Sequence, residues 1–300
     1  LYAFGAQVEN AMEISNEGLE LELQADILRE SAVSWRMKFN MARNWNRFEK
    51  SYSGKDVVDG DGTLLVVGRP LNGLYVWAHR GYYNSDAEVP RLYKIDGQEI
   101  YFNGVATNGI SGAVGDYRLL DLDGDGNPDS YYAGSPLPLA HGGWVNELMW
   151  KNFDLNVLVN FTIGRKMINN RMGLGFSRQS EDGHLTKLFD YRKLRPWDGV
   201  NKKPNAPAWG NSLSMNTDSA IEKVHHLALK QITLGYNLPD RISKKAGLSG
   251  VRFFLTAENL FYLSNYSGGN PEVVNIYTGR DNGDTYPLPR KYTLGLTLNF

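Results

Sequence analysis

The stretch Phe153 to Ile163, FDLNVLVNFTI, decides the fold because large apolar side chains occupy all of its odd-numbered positions. Polar residues such as Asp154 and Asn156 occupy even positions, and a period of two is that of a β-strand rather than a helix. Soluble antiparallel sheets also alternate in this way, but their strands are typically only ~5 to 6 residues long. The longer run matches a tilted strand that crosses a bilayer. We therefore predict a transmembrane strand with these lipid-facing residues: Phe153, Leu155, Val157, Val159, Phe161 and Ile163.

Two segments near the start of the chain, Leu19 to Ile27 and Ser34 to Met41, alternate in the same way. A hairpin that pairs Ala25 with Met37 places Asp26 opposite Arg36, so one register satisfies both the polar and the apolar face. In a barrel that spans a membrane, the polar face lines the lumen. The predicted lumen-lining residues of these strands and of the opening stretch are Glu20, Glu22, Gln24, Asp26, Arg36, Lys38, Asn156 and Asn160.

Further strands are predicted later in the chain. Leu227 to Tyr236 changes its apolar parity at Lys230 and Gln231, which is the change that a β-bulge produces. The remaining strands cover Trp144 to Trp150, Val251 to Ala257 and Tyr292 to Phe300. We also expect a helical turn from Asp240 to Leu248 with Asp240 as its cap. A small hairpin is expected in which Tyr75 to Trp77 and the pair Tyr82 and Tyr83 join a partner near Tyr101.

The connections between the predicted strands are alternately short and long. Short connections follow Leu28 and precede Phe153, whereas the segments 47–142, 165–220 and 264–289 are long. Outer-membrane barrels have short periplasmic turns and long extracellular loops, so the long segments are predicted to lie outside the cell. The fold class is therefore all-β, part of a large antiparallel transmembrane β-barrel. Residues 1–300 are interpreted as a portion of one barrel domain.

Composition excludes several other functions. The chain of 300 residues contains no Cys, which excludes disulfides, thiolate metal sites and thiol catalysis. Its formal net charge of -1 shows no electrostatic footprint for nucleic acid. No apolar run reaches the ~18 to 20 residues of a transmembrane helix. The sequence has no Ser-His-Asp arrangement, phosphate loop or HExxH motif, so we predict that it is not an enzyme. We expect Leu1 to be a position inside a longer protein, since no signal peptide begins there.

The motif DLDGDGNPD at 121–129 is the strongest candidate for a metal site. Its acidic residues follow positions 1, 3, 5 and 9 of a calcium loop, but position 12 is Tyr132 rather than a bidentate carboxylate. The alternative is a turn rich in Gly and Asp that side-chain hydrogen bonds hold without metal. If a cation binds, we expect Ca²⁺, and no other cofactor is required. The candidate ligands are Asp121, Asp123, Asp125 and Asp129.

Several blocks together resemble the C-terminal part of SusC/RagA-type TonB-dependent outer-membrane transporters. They are ISNEGLELEL at 14–23, YRLLDLDGDGNPD at 117–129, GSPLP at 134–138, GGWVNELMWKNFDLNVLVNFTIG at 142–164, LALKQITLGYNLP at 227–239 and VRFFLTAENLFYLSNYSGGNPE at 251–272. The blocks occur in the family's order from Ile14 to Phe300, so the resemblance covers nearly the whole chain.

The resemblance implies a barrel of about 22 strands in the bacterial outer membrane, with the plug domain and the N-terminal strands upstream of this chain. It also implies a SusD-like surface lipoprotein as a lid, energy from TonB through the missing N-terminal part, and import of oligosaccharides or peptides. The expected partners further include the lipid bilayer and a second complex in a homodimer, but no nucleic acid. An alternative remains open, in which a SusC-like barrel is a structural or assembly subunit of another outer-membrane complex and transports nothing.

Overall fold

The computed structural model describes residues 12–29, 32–58, 64–89, 91–93, 99–101, 114–124, 129–170, 195–200, 203–208, 217–283 and 285–300. Its regular structure is almost entirely β-strand, as predicted. The strands are β1 (Glu13–Leu28), β2 (Val33–Lys50), β3 (Val57–Val58), β4 (Leu64–Leu65), β5 (Leu74–Trp77), β6 (His79–Tyr82), β7 (Arg91–Tyr93), β8 (Glu99–Tyr101), β9 (Tyr117–Leu119), β10 (Ser130–Gly134), β11 (Ala140–Trp150), β12 (Phe153–Asn169), β13 (Ile221–Asn237), β14 (Gly250–Ser264), β15 (Arg280–Asp281) and β16 (Lys291–Asn299). One short helix, α1 (Asp240–Lys245), lies between β13 and β14.

Seven long strands form one sheet in the order β1-β2-β11-β12-β13-β14-β16. All of these neighbours are antiparallel, and the short strand β15 adds a parallel pairing to the end of β12. Within the described residues, β1 and β16 do not pair with each other, so the barrel is not closed in this chain. The long strands follow each other in sequence order, which is the topology that the alternating short and long connections predict.

The predicted hairpin register is confirmed. In the pairing of β1 with β2, Ala25 is opposite Met37 and Asp26 is opposite Arg36. The predicted bulge is also confirmed, because the pairing of β13 with β12 jumps from Leu229 to Gln231 and skips Lys230. The partner β14 is irregular at the same level, since its register with β13 jumps from Phe261 to Glu258.

The register divides the side chains of the sheet into two faces. We call one the polar face, which contains a row that crosses all seven strands: Asp26, Arg36, Glu147, Asn156, Thr233, Thr256 and Thr293. We call the other the apolar face, which contains the neighbouring row Leu28, Trp35, Leu148, Leu155, Leu234, Leu255 and Leu294. Opposed residues of antiparallel strands share a face, so each row is chemically uniform across the sheet.

Burial on these faces is the reverse of that in a water-soluble sheet. On β14 the apolar residues Phe253 and Leu255 are 46% and 49% exposed, whereas their neighbours Phe254 and Thr256 on the polar face are half-buried. Asn146 is a polar exception on the apolar face, and the indole Nε1 of Trp35 donates a hydrogen bond to its Oδ1 at 3.2 Å. A continuous exposed apolar surface of this kind indicates contact with lipid or a partner rather than with water.

Among the residues that the structure describes, the buried clusters lie where segments from the long connections cover the sheet. Leu74, Val76 and Ala133 of β5 and β10 pack on Ile168 near the end of β12. A second cluster joins Met167 of β12 and Val224 of β13 to Tyr266 and Val274 of the segment that follows β14. The hydrophobic core of the described residues is therefore at the long-loop end of the sheet.

Three local predictions need correction. β5 pairs with β10, and Tyr82 of β6 pairs with Tyr117 of β9, rather than with a partner near Tyr101. Tyr101 pairs instead with Arg91. β12 continues through Arg165 to Asn169, because loop segments cover this part of the strand and allow it to extend beyond the apolar stretch. The N-cap position of α1 is Pro239 rather than Asp240, which lies in the first turn. Among the described residues, no helix is long and apolar enough to cross a membrane.

Candidate functional site: the polar face and the outer loops

The predicted lumen-lining residues all lie on the polar face, and ion pairs connect several of them. Arg36 Nε donates to Asp26 Oδ1 at 2.7 Å, and Arg29 approaches the other oxygen of the same carboxylate at 2.6 Å. Lys38 Nζ lies 2.8 Å from Oε1 of Glu147, a residue that the sequence did not single out. Glu147 stands between Arg36 and Asn156 in the register. These side chains are partly exposed, so they contribute more to the charge pattern of the surface than to stability.

The other predicted members of this face continue the pattern toward the long-loop end. Gln24 is opposite Lys38, Glu22 is opposite Asn40 and Glu20 is opposite Ala42. Asn40 Oδ1 accepts a hydrogen bond from the backbone N–H of Gly143, whose cross-strand partner is Asn160. The eight residues therefore lie on one surface, as the alternation predicts.

A further ion pair on the polar face lies near the short turns and was not predicted. Arg252 of β14 reaches across β13 to Asp154 of β12, with Nε 3.1 Å from Oδ1 and Nη2 2.5 Å from Oδ2. Asn237 Nδ2 adds a hydrogen bond to Oδ1 at 3.0 Å. Gly235 lies beneath this pair, since a Cβ at that position would come within 2.4 Å of both carboxylate oxygens. Three neighbouring strands are thus joined by one bidentate contact.

At the long-loop end, the polar face holds a buried guanidinium group. The bulge at Gly164, whose φ of +71° suits glycine, is followed by Arg165, which is opposite Val224 and only 7% exposed. Its Nη1 donates to the carbonyl of Pro271 at 3.1 Å, and its Nη2 donates to those of Val274 and Asn275 at 2.8 Å and 2.9 Å. Arg165 therefore fixes the segment that follows β14 against the sheet.

Charged groups surround the same segment. Lys230, the bulge residue of β13, lies 3.2 Å from Oε2 of Glu272, and the Nε2 of the buried His226 lies 3.9 Å from the same oxygen. Asn270 Oδ1 accepts a hydrogen bond from the backbone N–H of Glu272 at 3.0 Å. The bulge thus turns a lysine toward a carboxylate that a loop supplies, which is a common use of bulges near functional sites.

The predicted lipid-facing residues share the apolar face, and aromatic rings occupy its short-turn end. The ring centroids of Trp150 and Phe153 are 6.1 Å apart, and those of Phe153 and Tyr236 are 4.8 Å apart. Lys151 places its Nζ 5.0 Å above the Trp150 ring. A band of amphipathic rings at one end of an apolar surface is typical of the interface between lipid and water.

Three of the four candidate metal ligands lie together. Side-chain oxygens of Asp121, Asp123 and Asp129 are within 4.8 Å of one another, and Asp125 lies outside the described residues. Two of these carboxylates also hold the turn, since the backbone N–H of Gly124 donates to Asp121 at 2.6 Å and that of Leu122 donates to Asp129 at 2.6 Å. The loop therefore has both the grouped oxygens of a cation site and the hydrogen bonds of a metal-free turn.

An aromatic cluster organises the outer segments. Tyr117 of β9 packs edge-on to His79 at 4.8 Å between ring centroids and stacks on Tyr82 at 5.5 Å. His79 is hydrogen-bonded to Asp218, which also accepts from the hydroxyl of Tyr131 at 3.4 Å. Burial raises the pKa of the Tyr117 phenol, so this ring remains neutral at physiological pH. These contacts join segments from two different long connections.

Relatives of the chain were found among known proteins, although no protein-family model matches it. The chain is 25% identical over 98% of its length to TonB-dependent receptor P3 of Formosa agariphila, and 26% identical over 99% to TonB-dependent receptor SusC of Bacteroides thetaiotaomicron. It spans about 30% of the length of these curated relatives.

Solved structures give the same result for the fold. The structure of the RagAB peptide transporter matches 99% of this chain and 30% of the solved chain with a TM-score of 0.70 and 22% sequence identity. The RagAB peptide importer in its "closed-closed" state gives a TM-score of 0.69 at the same identity. Taken with the continuous two-faced antiparallel sheet, these similarities show that the chain is related in sequence to TonB-dependent receptors and has the fold of part of the RagA barrel.

Proposed function

We propose that this chain forms part of a multi-pass barrel in the bacterial outer membrane, and that the intact protein imports a nutrient with energy from TonB. The observation that carries this proposal is the sheet with one exposed apolar face and one charged face, in a chain whose relatives are TonB-dependent receptors. The apolar face then contacts lipid and the polar face lines an aqueous lumen. The described residues supply a binding and passage surface rather than a catalytic group.

The nutrient class that fits best is a peptide or an oligosaccharide. The polar face offers both signs of charge and several amides, which suit either class of polar polymer. Similarity to the RagAB peptide transporter favours a peptide, whereas the relationship to SusC leaves an oligosaccharide as the second candidate.

A surface lipoprotein of the SusD kind is the proposed partner at the long-loop end. Its docking surface would be the outer segments that the cluster around Tyr117 and Asp218 holds together. The exposed aromatic side chains Tyr277 and Tyr286, at 74% and 84%, supply contact area of the kind that interfaces use. Proteolysis of intact cells tests this: the partner should protect these loops, and cleavage at an equal rate without it would count against the proposal.

Uptake experiments distinguish transport from the alternative of a scaffold. Cells that produce the intact protein should accumulate labelled peptides or oligosaccharides, and a proton uncoupler, which removes the energy source of TonB, should abolish this accumulation. A scaffold subunit predicts equal uptake with and without the protein. Mass spectrometry of small molecules that copurify with the protein would then identify the nutrient class.

We further propose that Asp121, Asp123 and Asp129, with Asp125 as a fourth ligand, bind Ca²⁺ in the outer loops. The grouping of three carboxylates within 4.8 Å supports this. Oxygen ligands should lie ~2.3 to 2.6 Å from the ion. Calorimetric titration of the intact protein with calcium tests the site, and Asp123→Asn should abolish the binding heat. An unchanged heat in that variant would leave the hydrogen-bonded turn as the correct interpretation.

A further inference from the structure

The irregularity shared by β13 and β14 opens a cavity on the polar side of the sheet. Between the paired positions Leu229–Phe261 and Gln231–Glu258, Lys230 on one strand and Asn259 and Leu260 on the other have no ladder partner. Asn259 adopts a left-handed φ of 53°, a conformation that asparagine tolerates better than most residues. Its Nδ2 donates to the carbonyl of Pro289 at 3.2 Å, which holds the segment just before β16 beside the unpaired residues.

The cavity has a volume of about 350 Å³, at the lower end of the range for small-molecule sites. One wall is the bulged part of the sheet, and the facing walls are the segment around Asn270 and Glu272 and the segment from Pro287 to Arg290. Arg165 holds the first of these segments through the carbonyl of Pro271, so this wall is fixed before any ligand arrives. A preformed wall lowers the ordering cost of binding.

The side chains that line the cavity carry more positive than negative charge. Lys230 is paired with Glu272 at 3.2 Å, so that carboxylate is already in contact with a cation. Arg290 also lines the cavity, is exposed, and makes no ion pair or hydrogen bond with another described residue. A guanidinium fork that has no anionic partner is suited to bidentate contact with a carboxylate or phosphate.

The apolar residues that line the cavity restrict the kind of ligand that it can bind. Leu260 and Leu288 provide apolar surface beside the charges, so the ligand should have an apolar body as well as an anionic group. Glu272 is close to Lys230 and would repel a doubly charged phosphate more strongly than a singly charged carboxylate. The chemistry therefore favours a monoanionic carboxylate on an apolar or aromatic body.

We propose that the cavity between the bulges of β13 and β14 and the two loop segments is a binding site for such a carboxylate, with Arg290 and Lys230 as its anion-binding residues and Arg165 as the positioning residue of its wall. The inference rests on the proposed assignment of the polar face to the aqueous lumen. A peptide with a free carboxyl terminus and an apolar last residue has this chemistry, so the site would favour peptides over neutral oligosaccharides.

The test uses two probes that differ only in charge. N-acetylphenylalanine carries the carboxylate, and N-acetylphenylalaninamide has the same body without it. Equilibrium dialysis of the purified intact protein should show tighter binding of the acid than of the amide. Lys230→Gln and Arg290→Gln should each weaken binding of the acid about tenfold or more, which is the effect expected when one charged hydrogen-bond partner is lost. Binding of the amide should change little.

The matched control is Lys223→Gln, which removes an exposed lysine of β13 that does not line the cavity. This control should leave both affinities unchanged. If Lys230→Gln fails to fold, Arg290→Gln, which lies outside the strands, carries the test. Equal affinity for acid and amide, or variants that behave like Lys223→Gln, would overturn the proposed site. Because dialysis needs neither TonB nor energy, this result is independent of whether uptake is observed.

Discussion

Gly235 is a position where an added side-chain atom would displace an ion pair of the sheet. A Cβ at this position would lie 2.4 Å from the carboxylate oxygens of Asp154 and 2.5 Å from Nη2 of Arg252. We expect Gly235→Val to break the Asp154–Arg252 contact and to lower the free energy of unfolding by about 1 to 3 kcal/mol, as overpacking does.

The control for that substitution is Gly250→Ala. The nearest atom to its added Cβ is Nδ2 of the flexible Asn299 side chain at 3.1 Å, which can move aside. Reversible denaturant unfolding in lipid vesicles measures both variants. Equal stability of Gly235→Val and the unsubstituted protein would show that the pair does not lie over this glycine.

Val157 and Asn156 are adjacent residues that test the assignment of the two faces. Val157 lies on the apolar face beside Ile232, and Asn156 lies on the polar face beside Thr233. Val157→Arg should lower the free energy of unfolding in vesicles by ~2 to 4 kcal/mol if the residue is near the bilayer midplane. Asn156→Arg should have a much smaller effect. Similar losses from both variants would contradict the face assignment.

At the scale of elements, the strand β16 stabilises the sheet through backbone pairing with β14. Its register runs from Glu258–Lys291 to Gly250–Asn299, and its outer side chains remain exposed. Deleting residues 291–300 would leave the edge of β14 unpaired in hydrocarbon, where each unsatisfied backbone group is costly. We therefore expect the deletion to abolish membrane insertion, measured as loss of heat-modifiable migration in outer-membrane fractions.

The control deletion removes Thr285 and Tyr286, which are exposed in the preceding loop. This variant should insert normally. A deletion that reached back to Asp281 would be a poor control, because its carboxylate is buried and accepts a 2.7 Å hydrogen bond from the hydroxyl of Tyr266. Normal migration of the protein without β16 would show that this strand is dispensable for insertion.

The sequence predicts well those elements whose pairing is determined by side-chain alternation within one strand or one hairpin. Alternation in β1 and β2 was sufficient to pair Asp26 with Arg36, and the parity change at Lys230 was sufficient to place the bulge. Arg165 could not be identified in this way, because its partners are backbone carbonyls of a distant loop and carry no side-chain signal. Asp154 and Arg252 lie 98 positions apart, so their contact depends on a register that spans three strands. The predicted partner of β5 was wrong because a short strand has many acceptable partners in the sequence.

For the whole molecule, the main prediction concerns orientation. The absence of Cys in this chain allows single cysteines to report which side of the membrane a position occupies. Val200, which is 84% exposed, lies on the long-loop side, whereas Ala246 follows α1 on the short-turn side. In intact cells, a membrane-impermeant maleimide should label Val200→Cys and should label Ala246→Cys only after the outer membrane is permeabilised. Labelling of Ala246→Cys in intact cells would reverse the topology.

The exposed apolar face also determines how the protein responds to temperature. In a water-soluble protein, large apolar residues pass from a dry core into water on unfolding, and this transfer causes most of the increase in heat capacity. In this protein, apolar residues such as Leu255 and Leu294 are 49% and 82% exposed in the folded sheet, where they face the lipid or detergent. Calorimetry should therefore give a small heat-capacity change when the unfolded chain stays in detergent, and a large one when denaturant moves it into water. One polypeptide would then have two stability curves of different curvature, set by the medium that receives the unfolded chain.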